Sequence, residues 1–235
     1  MNRAYRVPLH NRISRALLRP VFRGLFRALA QVKVQGISNV PYGQPYIAVI
    51  NHISTFDPPF ALTFWPEEIE ALGASDIWER AAFGQNWLVR LFGAIPVRRG
   101  EYDRQALERV AHVLKSGYPL LMSPEGGRTH TVAMRQAKAG LAFLVEMTNV
   151  PVVPVGITGT TDDFFKKAIR GQRPPLTMTI GQPILLPPIE GRGEARRLAR
   201  QRNTDLVMAR IAALLPDEYH GYYAKAARDI NQITD

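Results

Sequence analysis

Short apolar runs alternating with helix-periodic segments predict an α/β fold. The expected form is a single layered domain whose mixed, mostly parallel central sheet is flanked by helices, preceded by an N-terminal amphipathic helical arm. Three observations carry this expectation. Tyr46 to Ile50 and Val152 to Ile157 are apolar almost throughout, the pattern of strands buried on both faces. Stretches long enough for crossover helices separate such runs. The segment 9–30 repeats arginine every four residues opposite leucine and phenylalanine. The boundaries follow as 1–31 for the arm and 32–235 for the α/β domain.

Taken in order, the arm comes first. Arg15, Arg19, Arg23 and Arg27 share a face with Arg12, while Leu17, Leu18, Val21, Phe22, Leu25 and Leu29 lie mostly opposite. Pro20 is expected to kink or split the helix. Val32 to Gln35 and Tyr46 to Ile50 read as strands, Pro58 to Trp65 as a helix and Glu70 to Leu72 as a short strand. Trp78 to Phe92 reads as helix broken near Gly84, and Ala94 to Val97 as a strand entering Arg98-Arg99-Gly100. Asp103 is placed to cap a helix ending near Lys115. Leu120 to Met122 is a buried strand running into Ser123-Pro124-Glu125-Gly126-Gly127-Arg128-Thr129. A helix over Ala137 to Met147, strands over Val152 to Ile157 and Leu176 to Ile180, and a long helix over Glu194 to Leu215 complete the chain. Arg196, Arg197, Arg200 and Arg210 are expected on the outside of that last helix.

Composition narrows the chemistry. With no cysteine, disulfides, thiolate metal sites and a cysteine nucleophile are excluded. The histidines (10, 52, 112, 130 and 220) are scattered and no His-Glu-x-x-His occurs, so no metal site is expected. The net charge is +10, and residues 1–56 hold eight basic side chains and no acidic one. Such an arm suits an anionic partner. No charge-free apolar run approaches the ~20 residues that span a bilayer, and the pattern of a signal peptide is missing. Leucine and phenylalanine opposite arginine read as an interfacial anchor on an anionic membrane surface. The bland reading is that the helix packs on the domain with its arginines solvated. Nucleic acid is not expected, because the arm lacks aromatic platforms interleaved with its basic residues.

The chemistry concentrates in three loops that follow buried strands. In Asn51-His52-Ile53-Ser54-Thr55-Phe56-Asp57, a histidine at a strand end is followed five residues later by a carboxylate. On one regular helix those side chains would point about 140° apart, so they meet only on a turn between strand and helix. There His52 is a candidate general base oriented by Asp57. Asp57 also precedes Pro58, which makes it a candidate helix N-cap, and the two roles are compatible. The second loop offers Arg98 and Arg99; the third offers Glu125, Gly126 and Arg128. Loops at the carboxyl ends of strands converge in open α/β sheets. A base, arginine forks and a glutamate suit a phosphorylated substrate that carries a hydroxyl. Each loop alone has a plainer reading, as a solvated arginine pair, a glycine turn or a surface ion pair.

The order and spacing of the three loops resemble the glycerolipid acyltransferases related to 1-acyl-glycerol-3-phosphate acyltransferase. Their Asn-His-x-x-x-x-Asp motif stands at Asn51, His52 and Asp57, and their Gly-x-Ile-Pro-Val-x-Arg motif at Gly93, Ile95, Pro96, Val97 and Arg99. Pro124, Glu125, Gly126 and Arg128 match the third motif, and Val150 to Val155 resembles the proline-bearing fourth. The resemblance covers about residues 34 to 185. It implies transfer of an acyl group from acyl-CoA or acyl-carrier protein to the hydroxyl of a lysophospholipid, most simply 1-acyl-glycerol-3-phosphate, in phospholipid biosynthesis. It further implies His52 as base oriented by Asp57, Arg99 and Arg128 on the acceptor phosphate, and Glu125 on the acceptor glycerol or the Gly126-Gly127 loop. No cofactor is implied, and the setting is peripheral, on the cytoplasmic face of a membrane.

Departures bear on the acceptor. Ser123 and Gly127 replace the family's aromatic residue and threonine, and Gly73-Ala74-Ser75-Asp76 stands where relatives often carry a lysine. Arg98 is the residue placed to compensate. Competing readings are acyl transfer to another lysophospholipid or polar acceptor, a thioester or ester hydrolase, and a catalytically silent membrane-binding module.

Overall fold

The computed structural model describes residues 4–75, 85–98, 104–129 and 131–234. Its centre is a seven-stranded sheet of β1 (Gln31–Gln35), β2 (Ile47–Ile50), β3 (Glu70–Ala74), β4 (Ile95–Val97), β5 (Leu120–Met122), β6 (Val152–Thr158) and β7 (Pro175–Ile180), in the order β1-β7-β6-β2-β5-β3-β4. All neighbours are parallel except β6 and β7, which run antiparallel. The sheet is therefore mixed and mostly parallel, as the apolar runs lead one to expect. β2 lies at its centre, and all four of its residues are buried.

Helices cover both faces. On one side α1 (Leu9–Leu29), α2 (Asp57–Phe64) and α6 (Phe164–Ile169) contribute Phe26, Phe60, Phe64 and Phe164 to a cluster on Ala48, Ile50, Val153 and Val155. On the other side α4 (Arg104–Lys115), α5 (Gly140–Thr148), α7 (Gly193–Ala212) and α9 (Ala224–Thr234) pack Val110, Leu114, Leu141, Leu144, Val207 and Ile211 on Ile47, Val49 and Leu120. The short α3 (Gln85–Phe92) abuts α1, with Phe92 edge-on to Phe22 at 5.8 Å. A one-turn α8 (Asp217–His220) precedes α9. Each fully buried side chain, Trp65 and Phe60 among them, contributes roughly 1.5–3 kcal/mol by leaving water.

Two connections create the cleft. β2 leaves through α2 on one face toward β3, while β5 leaves through α5 on the other face toward β6. Adjacent parallel strands whose connections part in this way open a crevice beyond their carboxyl ends.

The structure departs from the sequence reading at several elements. Pro20 does not split α1, which is continuous from Leu9 to Leu29. Pro20 and Ala16, whose carbonyl loses its partner, both lie on the exposed side, where water satisfies the missing bond. Arg15, Arg19 and Arg23 are not solvated and do not face outward, whereas Arg12 and Arg27 at the ends of the arginine face are exposed. Arg15 is 6% exposed and donates from Nη1 and Nη2 to Glu70 at 2.6 and 3.1 Å, and from Nε to Phe92 O at 2.8 Å. Arg19 donates to Trp65 O and to Glu67 O, and Arg23 Nε to Thr63 O at 2.9 Å. These carbonyls lie at or just beyond the ends of α2 and α3, where four C=O groups have no partner within the helix. Leu9, Ile13, Leu17, Val21 and Leu25 are exposed instead, at 49–69%. α5 starts at Gly140 and not at Ala137; the Ala137 and Lys138 N–H groups before it bond to Tyr223 Oη and Pro124 O. α7 ends at Ala212, and Ala213 to Leu215 form a tight turn before Pro216. Asp103 and residues 78–84 of the expected broken helix lie outside the described residues.

Candidate active site

Three neighbouring parallel strands, β6, β2 and β5, deliver their following loops to one end of the sheet. The β2 loop is fastened first. The Asn51 side-chain amide donates to Ile157 O at 2.9 Å and accepts from Ile157 N at 2.8 Å. It acts as a substitute peptide group that extends the β2–β6 ladder by one rung. His52 is held by its backbone on the opposite side: its N–H donates to Glu125 Oε1 at 2.8 Å, and its carbonyl accepts from Thr129 N at 3.1 Å.

Asp57 is fully buried, and its carboxylate gathers four donors. Oδ2 accepts from His52 Nδ1 at 2.8 Å and from the N–H groups of Ile53 and Ser54 at 2.7 and 2.8 Å. Oδ1 accepts from the Thr160 hydroxyl. The N-cap reading of Asp57 is therefore corrected: it is the first residue of α2, and its side chain turns back on the preceding loop. An acceptor-only carboxylate requires the proton on His52 Nδ1. Nε2 then carries the lone pair, the arrangement that can take a proton from a hydroxyl.

Glu125 is 2% exposed, and both its oxygens are used by backbone amides, those of His52 and of Arg135 at 3.2 Å. Burial pushes its carboxyl above the usual range, against the pull of those two N–H groups and of the nearby His52 and Arg135. It joins the first and third loops. Gly126 turns with φ +69, and the Lys138 side chain runs alongside it, its Nζ 3.6 Å from where a Cβ would stand. Arg135 also donates to Gly127 O.

The remaining candidates are spread out. Arg128 is exposed, with Asp162 Oδ1 at 3.8 Å. Arg98 is exposed just beyond the edge strand β4. That is three strands from β2, roughly 14 Å at 4.7–4.9 Å per strand. Arg99 lies outside the described residues. Sequence reasoning overlooked Thr160, Tyr219, Arg135 and Lys138. The last two stand within 13 residues of Glu125 in a segment with no periodicity, and the first two reach the site only through the fold. Among the described residues, no group of three or more His, Asp or Glu side chains converges as a metal site.

Comparison with known proteins bears on this geometry. The chain is 26% identical over 164 residues to 1-acyl-sn-glycerol-3-phosphate acyltransferase alpha of Mus musculus, covering 69% of this chain and 56% of that protein. It is 30% identical over 141 residues to 1-acyl-sn-glycerol-3-phosphate acyltransferase of Streptococcus pneumoniae, covering 59% of this chain and 50% of that one. The chain thus spans about half the length of these curated relatives. The crystal structure of the 1-acyl-sn-glycerophosphate acyltransferase PlsC from Thermotoga maritima shares the fold, with a TM-score of 0.61 and 22% identity over 87% of this chain and 80% of that one. A family model described as acyltransferase matches residues 31–158, just over half the chain and all of the first three motifs. The chain belongs to the acyltransferase family.

Proposed function

We propose that the protein transfers an acyl group from an acyl thioester, acyl-CoA or acyl-carrier protein, to the free hydroxyl of 1-acyl-glycerol-3-phosphate. The observation that carries this is the 2.8 Å bond from His52 Nδ1 to the buried Asp57 carboxylate at the carboxyl end of β2. His52 Nε2 takes the hydroxyl proton as the acceptor oxygen attacks the thioester carbonyl carbon. The carbon–sulfur bond breaks, the sulfur leaves with the proton returned from Nε2, and the products are an ester and a free thiol. The chain has no cysteine, which suits direct transfer without a thiol nucleophile. Glu125 serves as a brace that fixes the backbone of His52. Arg128, Arg98 and Arg99 supply the charge for the acceptor phosphate, Lys138 standing beside the same glycine turn.

The setting is a peripheral one, on the cytoplasmic face of an anionic membrane. Residues 1–31 act as the docking element and 32–235 as the catalytic domain. No described helix is long and apolar enough to cross a bilayer. The outward band of α1, Leu9, Ile13, Leu17, Val21 and Leu25, is apolar and is flanked by exposed Arg6, Arg12 and Arg27. Apolar contact with basic rims suits a headgroup interface.

Thiol release tests the reaction, with acyl-CoAs and acyl-carrier protein as donors, a panel of lyso-acceptors in vesicles, and His52→Ala alongside. Release is expected to require the acceptor and to fall roughly a hundred- to ten-thousand-fold in the variant. Release that continues without acceptor would replace the transferase by a hydrolase.

A further inference from the structure

We propose that Thr160 and Tyr219 are positioning residues of the His52–Asp57 pair, and that through them the turn 217–223 belongs to the catalytic apparatus. Only the kinetic arm of the test rests on the acyl-transfer reading. Both residues stand beyond the span matched by the family model.

Of the four donors on Asp57, three come from residues 52–54 and all three bind Oδ2. Thr160 alone binds Oδ1, and it stands two residues beyond the end of the neighbouring strand β6. Its hydroxyl therefore sets the rotation of the carboxylate about the bond to Cβ, and with it the aim of Oδ2 at the imidazole. Thr160 is fully buried, so no solvent stands ready to replace the hydroxyl.

The reach of Thr160 is set one residue earlier. Gly159 has φ +86, and a Cβ there would stand 2.0 Å from Pro175 O, so the backbone passes at a point where only glycine fits. Its N–H donates to Tyr219 Oη at 3.1 Å. Burial pushes the Tyr219 hydroxyl above its usual range, and Glu218 and Asp57 push the same way against the Gly159 N–H. The phenol stays protonated and accepts this bond as a neutral group.

The same turn reaches the other half of the pair. Met134 N donates to Tyr219 O, and Tyr222 N to Met134 O, both at 2.9 Å. A Cβ on Gly221 would stand 2.1 Å from Met134 O. Arg135, the next residue, donates its N–H to Glu125, which accepts from the His52 N–H. One turn thus braces Asp57 through Gly159 and Thr160, and His52 through Met134, Arg135 and Glu125. Among the described residues, Glu125 acts on His52 and Tyr219 on Asp57, while Arg135 and Glu218 act one step further out, on Glu125 and on Tyr219.

The test uses Thr160→Val, Thr160→Ser and Tyr219→Phe in the full chain. Without the Thr160 hydroxyl, Oδ2 loses its fixed aim at the imidazole. The Nδ1 proton resonance of His52, followed by NMR without substrate, is then expected to move upfield as its bond to Asp57 loosens. In Thr160→Val, kcat falls about ten-fold while KM for donor and acceptor stays put. Thr160→Ser restores both readouts. Tyr219→Phe shifts them in the same direction but less, roughly three-fold in kcat. An unmoved Nδ1 proton resonance in both Thr160→Val and Tyr219→Phe would overturn the proposal, as would a serine variant no better than the valine. If Thr160→Val does not fold, the Nδ1 proton resonance in Tyr219→Phe decides. A wild-type protein inert toward every thioester would overturn the acyl-transfer reading alone, since that resonance needs no substrate.

Discussion

α1 and α7 are arginine-rich helices of similar length, 21 and 20 residues, and they are built inside out with respect to each other. In α7 the apolar Val207, Met208 and Ile211 are buried, and Arg197, Arg202 and Arg210 face outward. In α1 three arginines point inward and five large apolar side chains point out. The difference is what each helix lies against. α7 covers the open face of a sheet, where Ile47, Val49 and Leu120 offer apolar surface. α1 crosses the ends of α2 and α3, where unpaired carbonyls and Glu70 call for donors. A guanidinium with five N–H groups can meet several such acceptors at once. Amphipathicity therefore gives the orientation of a helix only when the chemistry of its seat is known.

The contrast breaks most visibly at Arg15. Glu70 is 1% exposed, and Tyr5 Oη is its other side-chain partner, at 3.1 Å. Replacing Arg15 by Ala strands a buried carboxylate, expected to cost about 3–5 kcal/mol and on the order of 10 °C in Tm. Arg197→Ala in α7 removes a solvent-exposed pair with Glu194 and should leave Tm in place. Thermal melts of the two variants side by side decide the matter. Equal melting points would mean that the inward arginines of α1 hold nothing.

The next effect falls on the outward face. Leu17→Glu with Val21→Glu is expected to reduce partitioning onto anionic vesicles at least about ten-fold without lowering Tm, because both side chains are exposed. Leu198→Glu with Leu206→Glu, on the outside of α7, should change neither quantity. Sedimentation with vesicles of fixed anionic content reads the difference. Partitioning that survives the α1 substitutions would move the docking surface elsewhere.

This contrast also shows what was legible in the sequence. The apolar runs of β2 and β6 fix their place in the sheet because a strand buried on both faces has no other composition open to it. His52 and Asp57 stand in one loop, so their spacing alone requires the turn that joins them. The inward face of α1 was hidden because its partners are main-chain carbonyls, which carry no residue identity. Pro20 misled because its penalty depends on whether Ala16 O meets protein or water. Thr160 and Tyr219 were hidden for a topological reason. They lie 103 residues beyond Asp57 and 60 beyond Gly159, and only the order of strands brings them back. Glu70, an acidic residue opening an otherwise apolar strand, was the one available hint that a buried cation would face it.

The smallest expected effect lies at the inner margin of α7, where its arginines do meet a partner. Arg200 Nε and Nη2 donate to Glu146 of α5 at 2.8 and 2.6 Å, Arg196 binds the other oxygen, and the Arg200 guanidinium lies 4.8 Å above the Phe143 ring. Burial alone would raise the Glu146 carboxyl, but the hydrogen bonds from Arg200 and Arg196 outweigh it and hold it below the ordinary range. A carboxyl depressed in the folded state stabilises fully above its unfolded value, and that stabilisation fades as the pH falls through the folded one. For a site at the protein rim the amount is at most about 1 kcal/mol. Arg200→Gln should therefore lower Tm slightly at neutral pH and hardly at all once Glu146 is protonated, so the two melting curves converge as the pH falls through its folded value. Convergence would show that the outer helix also contains arginines that act through a partner, fewer and weaker than those of α1. A constant offset across that range would assign the loss to the stacking on Phe143 and leave the ion pair without effect.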